Sequence, residues 1–180
     1  MLASNKRSPE AIALFREALS IQEASLGRDH PSVSTTLNNL GFAQLEAGDP
    51  IGAAASFERG LAIVEAKLGA DHHRAAFHLV GLGQAYLAQK QARSAVAPLR
   101  RGLAILEHAH AVAGELGEAR FTLARALWDA NVDRKGAVAL ANQALADFTT
   151  ADDSEMRATI DGWLSFRDLQ RRARRGTTAP

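Results

Sequence analysis

Aligned against itself at a shift of 42 residues, the chain repeats its own apolar pattern, which restricts it to folds built from stacked copies of one small unit. Ala11, Ala53 and Ala95 coincide, followed by Phe15, Phe57 and Leu99, then Leu19, Leu61 and Leu103, then Ile21, Ile63 and Ile105. The same shift lays Gly27-Arg28-Asp29-His30 onto Gly69-Ala70-Asp71-His72, and Leu37, Leu40 and Gly41 onto Leu79, Leu82 and Gly83. A unit this short cannot bury its apolar face alone, so neighbouring units must supply the rest of the core.

Within each unit the apolar residues recur three and four apart, the signature of helices with one buried face. Ala53, Phe57, Gly60, Leu61 and Val64 share such a face. Gly48-Asp49-Pro50 punctuates the unit: glycine suits a left-handed helix end, aspartate an N-cap and proline the first helical position. These signals predict helices over 8–26, 32–47, 50–68, 73–90, 92–111, 115–130, 134–149 and 153–174. The expected fold class is all-α, a solenoid of antiparallel helix pairs. Gly41, Gly60, Gly83 and Gly102 are expected where helix backbones approach closely.

The motifs then resemble the tetratricopeptide repeat (TPR) family, whose helix A carries a Leu-Gly pair and whose helix B carries Ala, an aromatic and a small residue. Leu40-Gly41 with Ala53, Phe57 and Gly60 matches, as does Leu82-Gly83 and Tyr86 with Ala95, Leu99 and Gly102. The period and the Gly27-Arg28-Asp29-His30-Pro31 link resemble the kinesin light chain variety, which is widespread in bacterial proteins; the second link, ending His72-His73, lacks the proline. A divergent third repeat starts at Leu123-Ala124 and runs through Ala137, Ala141 and Ala144, with one extra residue in Asn131-Val132-Asp133. The stretch from Glu118 to Trp128, with Asp133-Arg134, resembles the last repeat of large bacterial serine/threonine protein kinases, and the helix carrying Met156, Ile160, Trp163 and Leu164 resembles their closing helix.

This divides the chain into a partial repeat and linker (1–30), repeats over 31–72 and 73–113, a divergent repeat over 114–150, a capping helix over 151–175 and a disordered tail over 176–180. Asp152 and Glu155 are expected to form a capping box at the start of the closing helix. The first helix matches a helix B without a preceding helix A, so the expectation is either a piece of a longer protein or a lone N-terminal cap.

Composition excludes several functions. Lys plus Arg number 21 against 20 for Asp plus Glu, a balance that gives no field for nucleic acid or an anionic membrane. There is no cysteine, hence no disulfide, thiolate metal site or cysteine nucleophile. The opening residues lack the apolar core of a signal peptide, and charges break every long apolar run, so a cytoplasmic location is expected. Walker, paired-histidine zinc and kinase motifs are absent; Gly81-Leu82-Gly83 begins like a phosphate loop but lies inside a helix, with Tyr86 in place of the last glycine. His72, His73 and His78, or His108 and His110, read as linker and surface residues rather than as a metal site. Arg167, Arg171, Arg172, Arg174 and Arg175 read as a solvated helix end complementing the dipole. No enzyme, cofactor or metal is expected.

The resemblance implies that helix A residues line a concave groove holding a peptide or partner helix. Carried over, these positions are Thr35, Asn38, Asn39, Phe42 and Leu45; then Phe77, Val80, Gln84 and Leu87; then Phe121, Arg125, Trp128 and Asp129. Packing between helices is an equal reading for Phe77, Val80 and Phe121. Affinity is expected from Phe42, Leu45, Leu87 and Trp128, and orientation from Asn38, Asn39, Gln84 and Arg125. Asn39 falls where some members hold a ligand backbone or carboxylate, without the lysines of such a clamp. Three functional readings follow: a protein-interaction scaffold for a protein or peptide ligand, the regulatory C-terminal region of a serine/threonine kinase with an adjacent kinase domain as partner, and a self-association element forming a homo-oligomer through the first helix.

Overall fold

The computed structural model describes the backbone of residues 7–176 and the side chains of residues 9–169. Among these residues there are eight helices and no strand: α1 (Arg7–Leu26), α2 (Pro31–Glu46), α3 (Pro50–Leu68), α4 (His73–Ala88), α5 (Ala92–His108), α6 (Ala113–Asp129), α7 (Arg134–Thr150) and α8 (Ser154–Gly176). All eight expected helices are present, with ends displaced by a few residues. No helix among the described residues is long and apolar enough to cross a membrane.

The turns follow the local chemistry. Gly48 takes φ +79°, and Asp49 Oδ1 accepts the Gly52 N–H at 2.9 Å as Pro50 opens α3. Asp133 does the same for Gly136 at 2.8 Å. Lys90 and Asn131 hold the left-handed place of Gly48, at φ 61° and 55°. In the first two turns the N-cap follows that residue directly, whereas Val132 intervenes between Asn131 and Asp133, so the third repeat has its extra residue where the sequence puts it. The two links use histidine in a way the motif reading missed: Nδ1 of His30 accepts from Ser32 N, and Nδ1 of His72 from Arg74 N, each at 3.2 Å. The closing helix corrects one expectation. Asp153, not Asp152, caps α8, accepting the Met156 N–H at 2.9 Å, while Asp152 takes the left-handed position at φ 55°.

Each helix packs antiparallel to the next, and the A helices α2, α4 and α6 also touch side by side, whereas the B helices α3, α5 and α7 have at most marginal contact. That inequality curves the stack and turns the A helices inward. Close approach depends on missing side chains. Phe57 is fully buried, and a Cβ at Gly41 or Gly81 would meet its ring at 2.7 and 2.5 Å, so one aromatic wedges between α2 and α4. Leu99, also fully buried, sits against Gly83 in the next unit, where an added Cβ would overlap its side chain.

The main core runs from Val64 through α4 to α7 and ends on Ile160 of α8. There α8 packs along α7 and sends Trp163 onto Phe121 and Trp128 of α6, with ring centroids 5.9 and 5.6 Å apart. A Gly83→Leu substitution is expected to lower stability by about 1 to 3 kcal/mol, because the extra side chain must displace Leu99. Gly162→Ala, which meets nothing within 4 Å, serves as the control and should leave the thermal midpoint unchanged or raised. Equal midpoints for Gly83→Leu and the parent chain would contradict the packing.

Candidate partner-binding groove

The inward A helices form the wall of the candidate site. On α2, Thr35 and Asn39 are exposed, while Asn38, Phe42 and Leu45 are half-buried, Phe42 edge-on to Phe57 at 5.1 Å. On α4, Gln84 and Leu87 are half-buried, and Gln84 reaches across to α6, its Nε2 donating to Glu118 Oε1 at 2.7 Å. On α6, Arg125 and Asp129 are exposed.

Trp128 departs from its expected role as an anchor. It is only 8% exposed, because Trp163 lies against it and the guanidinium groups of Arg134 and Arg167 sit over its ring at 5.1 and 5.5 Å. Arg167 also pairs with Asp129 at 3.4 Å. The far end of the A-helix wall is therefore engaged by α8. Val80 and Phe121 are core residues, which resolves them in favour of packing, whereas Phe77 stays half-buried. Of the basic tail, Arg167 is drawn onto α6; the side chains of Arg171, Arg172, Arg174 and Arg175 lie outside the described residues.

Thr35, Asn38 and Phe77 come together around a cavity of about 200 Å³ between α2 and α4. Ser34, His73, Arg74 and His78 complete its lining and were missed by the motif reading. Two buried polar atoms on this lining have no hydrogen-bond partner: Nδ2 of Asn38 and Nδ1 of His78. His78 was legible as a polar residue inside a buried stripe. One unit earlier its place is held by Thr36, whose hydroxyl donates to Gln22 Oε1 at 2.8 Å. The 42-residue shift replaces Gln22 by Val64, so the imidazole loses that partner. It rests against Gly60, where any Cβ would strike the ring. Burial lowers the His78 pKa from 6.5 to about 4, so the ring is neutral at pH 7.

Histidine elsewhere serves structure. His72 and His73 stack at 4.5 Å, and burial followed by the charges of His73 and Arg74 lowers the His72 pKa, which favours the neutral ring its capping bond requires. No group of three His, Cys, Asp or Glu side chains among the described residues is placed to hold a metal ion.

Residues 1–66 match the tetratricopeptide repeat family model. Among solved structures the chain is similar to a putative kinesin light chain of Podosopora anserina with nearly identical TPR-like repeats, at 25% identity and TM-score 0.72, covering 95% of this chain and 82% of that one. A variant of that protein with one residue replaced by methionine gives 24% identity and TM-score 0.74, over 95% and 81% of the two chains. BtubC (BKLC) from P. vanneervenii shares the fold at 15% identity and TM-score 0.66, over 97% and 77%. No match was found among curated proteins. The fold is thus that of an all-helical solenoid similar to the TPR-like repeats of those structures, and residues 1–66 carry the tetratricopeptide repeat match.

Buried neutral His78 makes stability depend on pH. Its folded pKa lies below its unfolded value, so the unfolded chain binds more protons between about pH 4 and 6.5, and stability is complete above 6.5 and lost as pH falls through that window. Between pH 7 and 5 the loss is expected to be about 2 kcal/mol, and His78→Gln should flatten the dependence. Denaturant midpoints across that range check this; a parent chain with constant midpoints would contradict it.

Proposed function

We propose that this tetratricopeptide-repeat chain is a protein-interaction scaffold that takes a peptide or a partner helix along its A-helix wall, over α2 and α4. The observation that carries the reading is the composition of that wall. Thr35 and Asn39 stand exposed beside half-buried Asn38, Phe42, Leu45 and Leu87, so apolar area and hydrogen-bonding groups alternate on a rigid inner surface. Arg125 extends the wall onto α6 as a charged, exposed position. Its end at Trp128 and Asp129 contributes less direct contact, because α8 already engages both.

Exposed positions allow a test that spares the core. In affinity capture on the immobilised chain, Thr35→Arg with Asn39→Arg should remove the partner recovered by the parent protein. Ala97→Arg, exposed on a B helix, should leave capture intact. Equal capture by all three would sink the groove.

A second reading, self-association through α1, is favoured by one internal comparison. Ile21 is 61% exposed, whereas its counterparts Ile63 and Ile105 are 5% and 6% exposed, and Leu14 is exposed on the same helix. An uncovered stripe of this kind favours pairing with another apolar helix face. Light scattering of the parent chain and of Leu14→Glu with Ile21→Glu tests it. A dimer reduced to a monomer by the double substitution would support self-association, and a parent chain monomeric at high concentration would exclude it.

A further inference from the structure

We propose that the open stripe of α1 is a receptor for one α-helix of a partner polypeptide, which lies antiparallel to α1 and presents a glycine to Phe15. The site is on α1, outside the wall over α2 and α4, and stands apart from the groove.

The repeat itself shows what covers such a stripe. In the next unit α2 covers α3. Ser56 hydrogen bonds with Gln44 at 2.6 Å, the Phe57 ring lies where Gly41 has no Cβ, and Ile63 shares a core cluster with Val33 and Leu37. The partners run backwards along α2 as the residues run forwards along α3, so the covering helix is antiparallel. One unit further, Leu99 meets Gly83 in the same way.

At the 42-residue shift the counterparts of Ser56, Phe57 and Ile63 are Leu14, Phe15 and Ile21 of α1. Leu14 is 66% and Ile21 61% exposed where Ser56 and Ile63 are 7% and 5%, and Phe15 is half-buried where Phe57 is fully buried. Spaced one and six apart, the three side chains lie along one helix face as an uncovered apolar stripe. The opposite side of α1 is already held: Leu19 packs onto the cluster of Val33 and Leu37, Gln22 accepts from Thr36, and Glu23 pairs with Arg59 at 2.6 Å. The stripe is therefore formed before any partner arrives.

The joint chemistry identifies the occupant. A Cβ at Gly41 would come within 2.7 Å of the Phe57 ring, so a helix seated in the same way on Phe15 needs a glycine there too. Val33, Leu37 and Gly41 give the rest of the pattern: apolar residues at i and i+4 and glycine at i+8. At i+11 α2 carries Gln44 to meet Ser56, whereas Leu14 in place of that serine calls for an apolar residue. A second copy of α1 does not fit this description, because Arg7–Leu26 contains no glycine. The α2 and α4 helices of a second copy are engaged in covering α3 and α5. The occupant is an amphipathic partner helix that docks by one apolar face and carries its glycine at a fixed place on that face.

The test uses the full chain and a synthetic peptide copying residues 30–49 with Gln44→Leu, labelled for fluorescence anisotropy. The peptide should bind saturably, and Leu14→Glu with Ile21→Glu, at exposed positions of the chain, should weaken it at least about ten-fold. Adding Gly41→Leu to the peptide should also weaken it about ten-fold, although leucine is the better helix former and the more apolar residue, because the new side chain strikes Phe15. Phe15→Ala in the chain should then bring the Gly41→Leu peptide back to within about three-fold of the original pair. Equal or tighter binding of the Gly41→Leu peptide to the parent chain, or no recovery with Phe15→Ala, would overturn the glycine joint. No saturable binding, or binding that survives the double glutamate substitution and so marks exchange with the chain's own α2, would overturn the site. Light scattering decides the rival occupant: a parent chain that dimerises through the stripe and takes up no peptide assigns it to a second copy and overturns the partner helix.

Discussion

Helix backbones in this solenoid approach because one large side chain per joint meets no Cβ opposite it. Phe57 enters the space left by Gly41 and Gly81, and Leu99 the space left by Gly83. In a close-packed interior neither ring nor leucine can be accommodated by small adjustments, so the choice of residue at these points determines how near successive A helices lie. The A helices consequently touch while the B helices diverge, and the inner wall exists as a result. The repeat is in this sense a spacing device, and the shape of its inner wall is set by its core.

The same register explains where the repeat is imperfect. Thr36 has Gln22 to bond, but one unit later, at His78, Val64 stands in the place of that glutamine. A buried imidazole without a partner is a cost to the folded chain, and it coincides with an unpartnered amide on Asn38 and a cavity that both residues line.

At the other end of the described residues α8 packs over α6 and α7. Trp163 of α8 meets Phe121 and Trp128, and Arg167 lies over both tryptophan rings while pairing with Asp129. A helix packed in this way buries apolar surface that the third repeat would otherwise expose. The cover also removes Trp128 from the free surface. An aromatic at a groove position thus serves the cap, and the accessible wall is concentrated over α2 and α4.

The sequence by itself determined the helices, their turns and their stacking order, because these depend on short-range facts: apolar spacing, Asp49 and Asp133 as N-caps, Gly48 at a left-handed end, and a 42-residue recurrence of small and large residues. The extra residue at Val132 was legible for the same reason. Histidine as a capping acceptor was not, since its side chain rarely signals a helix start, and Asp153 could not be told from Asp152 without knowing which of them turned left-handed. Only the tertiary structure decided which groove residues stay accessible. Trp128 and Gln84 occupy equally good positions on their helices, yet one is covered by α8 and the other spans to Glu118, and both outcomes depend on residues tens of positions away. The cavity shared by Asn38, Phe77 and His78 is likewise a property of two helices brought side by side, and no local pattern in either helix encodes the space between them.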